Sequence, residues 1–463
     1  MVAPVLRGAG RLPLGVDSRR SATLAGGGVN RRRVQHSLGS RRASGPVTRT
    51  MATTVRPFEF ATAGRTVFGV GTFEERAGAL LMELADREGV DLARQPLLVV
   101  AGSSGRMVED LCDLVRAAAG SIPIPDPVVY LCPEGEPTVA SCRECTALAS
   151  QAGCGLVVAV GGGTAIDTAK AVAALITNGG HERDIYDFLE VVGRAMPLER
   201  RPCPFVAIPT TAGPGAELTK NAVICAGDVK VSMRNPLMLP DLVLCDPALT
   251  LTMPRSVTAH TGLDALTQCI EPYVCNQSNP VTDVLSLAGI KCGARSLRKA
   301  IEDPSDVAAR TDMALCAMYG GQALANAKLG AVHGFAGILG GALDNAPHGA
   351  LCAALLPHCI ETNVKVLETR VMQTDPALAE EGLRRYAEVA AACLGSKGAS
   401  VGDLVAWAIE LVAFCGVPQL RSYGLADADV AEITLKSMAS SSMKGNPVQL
   451  TQEELEAMLR AAM

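Results

Sequence analysis

Apolar runs ending at Gly, Ser or Thr alternate with helical stretches along residues 57–245, and this alternation constrains the fold most strongly. The runs have the length and composition of buried strands and lie at 96–104, 127–132, 156–163 and 204–213. The segments between them have helical periodicity, so the pattern predicts a parallel sheet with helices on both faces. From about residue 257, Ala, Leu and Glu dominate and β-branched runs disappear. An all-helical second half is therefore predicted.

The 463-residue chain is too long for one ordinary core. A stretch rich in Pro and Asp at 238–256 separates the two patterns, so we place a domain boundary near 245–256. The prediction is a nucleotide-binding α/β domain over 57–250 and an all-α domain over 251–463. Thr451 and Glu454 have capping-box spacing, which predicts that a last helix starts there.

The first fifty residues differ from the rest of the chain. They contain ten Arg, no Lys and a single acid, Asp17. Cationic, acid-poor leaders that contain Ser are typical of organelle transit peptides, and a mitochondrial destination is favoured over a plastid. A basic arm that binds nucleic acid is the alternative. A second start at Met51 would leave a cytoplasmic form.

Composition outside residues 1–50 argues against two classes of partner. The whole chain has 42 basic and 47 acidic residues, so the part after the leader has a net charge of about −14. An acidic body is a poor candidate for binding nucleic acid. No uninterrupted apolar run reaches the roughly 18 residues of a membrane helix. The sixteen cysteines are scattered singly, which predicts buried free thiols, Cys352 among them.

A glycine-rich turn follows the strand predicted at 156–163. Gly161, Gly162 and Gly163 lack a Cβ, so the backbone can approach an anion closely. Thr164 adds a hydroxyl, and the N-terminus of the following Ala-rich helix favours negative charge. The turn therefore predicts a pyrophosphate site; a turn that needs glycine only for packing is the alternative.

Thr210 and Thr211 follow the strand predicted at 204–213. Ligands of open α/β sheets bind at the carboxyl edge of the strands, so these hydroxyls could complete a pyrophosphate cradle. An ordinary Ser/Thr turn is an equally good interpretation.

The first buried strand ends in Gly102, Ser103, Ser104 and Arg106. A site that selects NAD often places an acid near this point to hold the ribose hydroxyls. The small, hydroxylated and basic turn found here should tolerate a 2′-phosphate, which favours NADP. The alternative is that these residues only close a loop.

Asp264, His333 and His348 form an incomplete set of candidate metal ligands. Gln268 lies four residues after Asp264, so both would share one face of a helix. The amide of Gln268 is a weaker ligand for Fe²⁺ or Zn²⁺ than an imidazole. His260 precedes Asp264 by four and could replace a missing ligand, although a packing histidine is the favoured interpretation.

Six motifs in consistent order resemble the iron-containing alcohol dehydrogenases, a wider group that includes the maleylacetate reductases. They are VVAVGGGTAIDTAKA, PFVAIPTTAGPGAELTKNAVI, LCDPALT, TGLDALTQCIEPYV, ANAKLGAVHG and APHGALCAALLPH. The resemblance implies an N-terminal Rossmann-like parallel-sheet domain followed by an all-helical domain, a plan shared with dehydroquinate synthase. It also implies NAD(P), Fe or Zn, a small-molecule substrate and a homo-oligomer.

The resemblance also implies roles for individual residues. Gly162, Gly163 and Thr164 would hold the pyrophosphate, with Thr210 and Thr211 beside them. The remaining cofactor residues would be Glu136 near the adenosine, Asn221 and Lys230 near the ribose and nicotinamide, and the stretch from Leu249 to Met253 along the groove.

The chain departs from the family pattern at the metal. The family uses one Asp and three His, and Asp264, His333 and His348 match three of these. Gln268 occupies the position of the first His. Gly337 stands where the family often has a later His, and the segment from His333 to His348 is one residue longer than usual.

Three hypotheses follow from these departures. In the first, the three remaining ligands bind metal, with Gln268 or water at the fourth position. In the second, the enzyme needs no metal, as in maleylacetate reductases, and His333 or His348 donates the proton. In the third, the protein only binds nucleotide. We predict NAD(P)-dependent hydride transfer between nicotinamide and a small alcohol, aldehyde or keto compound; a dehydroquinate-synthase-like lyase is the rival from another class.

Overall fold

The computed structural model describes residues 55–179, 183–227, 229–343 and 346–463. The predicted transit peptide and His181, which the sequence suggests is structural, lie outside the described residues. Residues 55–463 form one compact unit. The proposed division at residues 250 and 251 stays a prediction.

The predicted parallel sheet is present, and its spatial order is β1-β8-β5-β4-β2-β3. All neighbouring strands run parallel. Its strands are β1 (Thr66–Phe68), β2 (Leu97–Ala101), β3 (Val128–Leu131), β4 (Leu156–Gly161), β5 (Phe205–Pro209) and β8 (Leu242–Cys245).

Strands β2, β4, β5 and β8 are buried along their whole length, because helices cover both faces of the sheet. Leu98 and Val100 point into one apolar core and Val99 into the core on the opposite face. Because both faces are buried, the sequences of these strands are continuous apolar runs. The prediction of a buried strand at 127–132 was wrong in part, since edge strand β3 exposes Val129 and Leu131.

The helices of the sheet half lie between and beside the strands. They are α1 (Thr72–Glu88), α2 (Val108–Ala119), α3 (Val139–Ala152), α4 (Gly163–Asn178) and α5 (Ile185–Phe188). Strands β6 (Asn221–Ala226) and β7 (Val229–Arg234) form a separate antiparallel pair, which the alternating pattern did not predict.

Helices fill the rest of the described chain, as predicted. They are α6 (Arg255–Val274), α7 (Pro280–Glu302), α8 (Val307–Asn326), α9 (Ala331–Ala342), α10 (His348–Val366), α11 (Met372–Thr374), α12 (Pro376–Leu394), α13 (Val401–Cys415), α14 (Val430–Met438) and α15 (Gln452–Ala461). The expected capping box is present, because Thr451 caps α15 and pairs reciprocally with Glu454.

Helix α6 lies at the centre of the helical half and packs against α7, α8 and α10. Fifteen of its twenty residues are buried, including the polar side chains discussed next. Two helical stretches, His348–Thr374 and Val401–Tyr423, are long and apolar enough by composition to cross a membrane; the first is mostly buried in the core. The expectation of no membrane partner therefore stays a prediction.

Candidate active site

A groove of about 590 Å³ runs along the carboxyl ends of β2, β4 and β5. This is the edge at which open parallel sheets bind their ligands. Its far wall comes from the segment that leads into α6, including Met253, Pro254 and Val257. The groove thus connects the sheet to the first helix of the helical half.

The glycine-rich turn lies where the groove meets the N-terminus of α4. A Cβ on Gly161 would lie 2.8 Å from the Cβ of Ala165, and a Cβ on Gly162 would lie 3.1 Å from Cγ2 of Thr211. Close packing therefore requires glycine at 161 and leaves little room for a side chain at 162. Because the first amides of α4 face a groove without intervening side chains, an anion can reach them.

Most predicted cofactor residues are brought together along this groove. Thr210 and Thr211 come from the end of β5, and Thr164 donates a hydrogen bond of 2.8 Å to the carbonyl of Gly135. The predicted residues that line the groove are Gly161, Gly162, Thr164, Thr210, Thr211, Leu249 and Met253. Gly163 is the first residue of α4.

Besides Gly163, three predicted cofactor residues lie outside the groove lining. Nζ of Lys230 pairs with Oε1 of Glu136 at 2.8 Å. Asn221 is buried at the start of β6, and its carbonyl accepts a hydrogen bond of 2.8 Å from Lys170. Their assignment to the cofactor stays a prediction.

The predicted metal ligands converge from three helices. Asp264 lies on α6, His333 on α9 and His348 at the start of α10. Together with Cys352 on α10, they bring four potential ligand atoms within 4.8 Å of one another. Nε2 of His333 lies 3.3 Å from Oδ1 of Asp264. These three predicted residues fit a divalent ion by donor chemistry and by proximity.

A glycine permits this convergence. A Cβ on Gly349 would overlap the carbonyl oxygen of His260 and lie 3.2 Å from the Cβ of Asp264. Helix α10 therefore approaches α6 closely at this point. Since His348 and Cys352 are separated by one turn, both side chains lie on the face near Asp264.

Glu271 orients one member of the cluster. Its Oε2 lies 2.6 Å from Nδ1 of His333, and its Oε1 accepts a 2.8 Å hydrogen bond from the backbone N–H of Val332. A carboxylate that holds the far nitrogen of a ligating histidine fixes the ring and leaves Nε2 to the metal.

The side chains of the cluster shift one another's pKa values. Burial alone would raise the pKa of Asp264, but its hydrogen bond with His333 and the charge of His348 lower it below the ordinary value. Burial opposes protonation of His333, yet Cys352, Asp264 and Glu271 raise its pKa well above the ordinary value. Burial likewise opposes ionisation of Cys352, but the two histidines lower the pKa of the thiol.

Gln268 is buried one turn after Asp264, as predicted, and its side-chain amide nitrogen donates to the carbonyl oxygen of Pro214. The side chain thus ties α6 to the loop that follows Thr211. Gly337 has open space where a Cβ would stand, so this departure leaves a void beside α9.

The remaining histidines of the helical half lie apart from the described cluster. His260 is half-buried, and burial lowers its pKa. His358 lies ten residues into α10, and burial lowers its pKa as well. The packing role expected for both stays a prediction.

The sequence analysis did not assign Glu271 or Cys352 to the site. Spacing contained a usable signal in both cases. Glu271 follows Asp264 by seven residues and Cys352 follows His348 by four, and both spacings place side chains on one helical face. Cys352 was interpreted only as a buried thiol because two of its polar neighbours, Asp264 and His333, come from other helices.

Comparisons with known proteins agree with this geometry. Residues 65–247 match the description "Iron-containing alcohol dehydrogenase". Residues 258–463 match "Fe-containing alcohol dehydrogenase family, C-terminal". Alcohol dehydrogenase 4 of Saccharomyces cerevisiae is 31% identical over 398 residues, which cover 85% of this chain and 96% of that protein.

Two further relatives carry related names. The 1,3-propanediol dehydrogenase of Klebsiella pneumoniae is 32% identical over 337 residues, 71% of this chain and 81% of its own. A crystal structure of 1,3-propanediol oxidoreductase superposes with a TM-score of 0.75 at 27% identity, covering 88% of this chain and all of that one. The chain belongs to the iron-containing alcohol dehydrogenase family and is an NAD(P)-dependent oxidoreductase that acts on CH–OH groups.

Proposed function

We propose that this enzyme prefers NADP and interconverts a small alcohol and its carbonyl compound beside a divalent ion held by Asp264, His333 and His348. The observation that supports this most directly is the course of α6. Val257 lines the groove, and Asp264 follows seven residues later on the same helix. At 1.5 Å per residue, the groove and the ligand cluster are roughly 10 Å apart along that helix.

The residues of the groove bind and orient the cofactor. Amides at the start of α4 and the hydroxyls of Thr210 and Thr211 would hold the pyrophosphate. Leu249 and Met253 offer apolar surface further along the groove. This fixed placement would hold the nicotinamide carbon near the substrate carbon, which favours direct hydride transfer.

The cluster residues hold and tune the ion. A bound divalent ion would supply Lewis-acid polarisation of the substrate oxygen. Asp264 and His333 lie within 3.3 Å of each other, and Glu271 holds the opposite nitrogen of His333. The chain thus provides a ligand set whose orientation is fixed before substrate arrives.

The preference for NADP rests on the end of β2. Gly102, Ser103, Ser104 and Arg106 line the groove, and Arg106 donates to Oγ1 of Thr252 on the opposite wall. A guanidinium suits the 2′-phosphate of NADP. Glu134, after β3, also lines the groove, and an acid is the residue type that holds the ribose hydroxyls of NAD. Both NADP and NAD therefore belong in the test.

Gly102→Asp tests the cofactor preference. A Cβ at this position has open space, so the substitution should be tolerated structurally. We expect the wild type to have the higher kcat/KM with NADPH. Because like charges set side by side cost several kcal/mol, the variant should shift the NADPH-to-NADH ratio of kcat/KM at least about tenfold toward NADH. Gly102→Ala is the matched control, and an unchanged ratio in Gly102→Asp contradicts the proposal.

Turnover and metal content test the catalytic proposal. The protein purified without chelator is assayed for NADPH oxidation with a panel of aldehydes and keto acids, and its metal is measured. We expect turnover and one divalent ion per chain, with both lost in His348→Ala. Full activity without metal would favour the maleylacetate-type alternative, which Gln268 and Gly337 suggest. Tight NADPH binding without turnover on any carbonyl compound would overturn the catalytic role.

We also propose that residues 1–50 direct the chain to an organelle, a mitochondrion in preference to a plastid. The support is the ten arginines and single acid of this segment. A fluorescent protein fused to residues 1–50 should colocalise with mitochondria, and a chain that starts at Met51 should remain cytoplasmic.

A homo-oligomer is proposed as well, and light scattering at several concentrations tests it.

A further inference from the structure

Cys352 lies where a fourth metal ligand would stand. Its Sγ is 3.7 Å from Nε2 of His348, and it belongs with Asp264 and His333 to the set of ligand atoms within 4.8 Å of one another. Bonds of about 2.0–2.3 Å in a tetrahedral site place the ligand atoms roughly 3.3–3.8 Å apart. The measured separations of 3.7 Å here and 3.3 Å between His333 and Asp264 both fall in that range.

We propose that Cys352 is a thiolate ligand that completes an Asp264, His333, His348 and Cys352 site, and that this site prefers Zn²⁺ to Fe²⁺. The inference rests on the proposed function only in requiring that a divalent ion binds at this cluster; the substrate oxygen would add to the four-coordinate ion as a fifth ligand.

The position of Cys352 on α10 places its thiol in the cluster. His348 and Cys352 are one helical turn apart on α10, and the close approach at Gly349 brings this face against α6. Cys352 is fully buried, so its sulfur is not available to solvent. Its polar neighbours are Asp264 and the two histidines, whereas a thiol used only for packing would have apolar neighbours.

The side chain of Gln268 forms a hydrogen bond outside the ligand cluster. Its amide nitrogen donates to the carbonyl of Pro214 and thereby anchors the loop after Thr211. The neutral amide oxygen that remains is a poorer donor than a thiolate. The loss of an imidazole on α6 is therefore compensated by sulfur on α10.

The donor chemistry argues for zinc. Thiolate is a soft ligand and selects Zn²⁺ among the divalent ions, whereas carboxylate and water suit harder ions. Four-coordinate sites of mixed Cys, His and carboxylate ligands are typical of zinc. Asp264, two histidines and Cys352 form such a set, and Glu271 supports it from behind His333.

Cobalt substitution tests the sulfur ligand without reference to activity. The full-length protein is stripped of metal, reloaded with Co²⁺ and examined by absorption spectroscopy. We expect an intense near-ultraviolet thiolate-to-Co²⁺ charge-transfer band and the visible bands of a tetrahedral ion. Cys352→Ser should lose the charge-transfer band and weaken Zn²⁺ binding in a chelator competition at least about tenfold.

Cys359→Ser is the matched control, because Cys359 lies on the same helix, is also buried, and has Asn363 as its polar partner. It should retain both the band and the affinity. If Cys352→Ser does not fold, X-ray absorption on the zinc-loaded wild type should show one sulfur at about 2.3 Å.

The outcomes separate this inference from the proposed function. A Co²⁺-loaded protein without the charge-transfer band, or a zinc shell without sulfur, overturns the role of Cys352 and leaves the dehydrogenase intact. A band that depends on Cys352 in a protein without turnover supports the ligand and overturns the proposed function. A fully active protein that binds no divalent ion contradicts both the thiolate site and the metal-assisted mechanism. Preferential retention of Fe²⁺ over Zn²⁺ in a direct competition contradicts the metal preference.

Discussion

Oε2 of Glu271 lies 2.6 Å from Nδ1 of His333, deep between α6 and α9. The opposite ring nitrogen faces Asp264 at 3.3 Å, so the imidazole bridges two carboxylates. An ion bound between Asp264 and His333 would replace the proton on Nε2 of His333. The proton on Nδ1 of His333 would stay in the hydrogen bond to Glu271. Metal binding and proton release are therefore linked at this histidine.

Replacing Glu271 should weaken metal binding. Glu271→Gln keeps the shape and one acceptor oxygen but removes the charge that supports His333. Loss of such an outer contact typically costs about 10–100-fold in metal affinity, and we expect a loss in this range in a chelator competition with Zn²⁺. The exposed Glu361 on α10 provides the control Glu361→Gln. Equal affinities for the two variants would refute the assigned role.

Gly349→Ala should disrupt the junction of α6 and α10. The added methyl group would overlap the carbonyl oxygen of His260, so α10 must shift. Overpacking of this kind costs about 1–3 kcal/mol, and the shift should also reduce the metal content. Gly337→Ala in α9 is the control, because a Cβ there meets open space and alanine favours a helix. Urea unfolding and metal analysis of both variants check this prediction.

Lys170 should matter for stability although it lies away from the groove. Its buried Nζ donates to the carbonyls of Ala216, Thr219 and Asn221 at 2.7–3.0 Å. Lys170→Met would remove this shared donor from the three carbonyls and leave Asp167 without its cation, 3.7 Å away. Breaking such a buried arrangement costs about 3–5 kcal/mol.

Urea unfolding of Lys170→Met measures this loss. The exposed Lys365 provides the control Lys365→Met, which should remain within about 0.5 kcal/mol of the wild type. A wild-type midpoint in Lys170→Met would show that the carbonyls find other donors.

Glu217 should make stability fall as the pH rises. Burial raises the pKa of its carboxyl from 4.5 to about 7 in the folded protein. The folded state therefore binds this proton more tightly, so its contribution is complete below pH 4.5 and is lost as the pH rises toward 7. At about 1.4 kcal/mol per pKa unit, the loss amounts to roughly 3 kcal/mol.

Glu217→Gln should remove this part of the pH dependence. The unfolding free energies of the wild type and the variant are compared at pH 5 and pH 8. We expect the variant to gain stability relative to the wild type at pH 8. A constant difference between the two proteins across this range would contradict the raised pKa.

The sequence predicted the parts of the fold that depend on local patterns. Runs such as 156–163 are apolar on both faces, and two-sided burial in a parallel sheet leaves that signal directly in the chain. The capping box at Thr451 is likewise local. By contrast, β6 and β7 form their own two-stranded sheet apart from the parallel one, and their short, mixed pattern resembles the surrounding loops. The exposure of Val129 depends on strand order, which composition does not determine.

The site was predictable where a motif kept its ligands in order. Asp264, His333 and His348 were found by resemblance, and the structure brings them together. Cys352 could not be recognised in the same way, because the sixteen cysteines are scattered singly and most of them are buried. Its spacing from His348 places both on one face of α10, but the crossing of α6 and α10 at Gly349 is what brings that face to Asp264. Long-range packing therefore decides which cysteine is chemically special.

The close crossing at Gly349 also sets an order of events during biogenesis. Asp264 and His348 meet only after α6 and α10 have docked, so no local segment of the nascent chain carries the whole ligand set. If residues 1–50 direct import as proposed, a precursor that crosses an organelle membrane in extended form would arrive without metal. The compartment in which the helices assemble would then determine which metal the enzyme acquires.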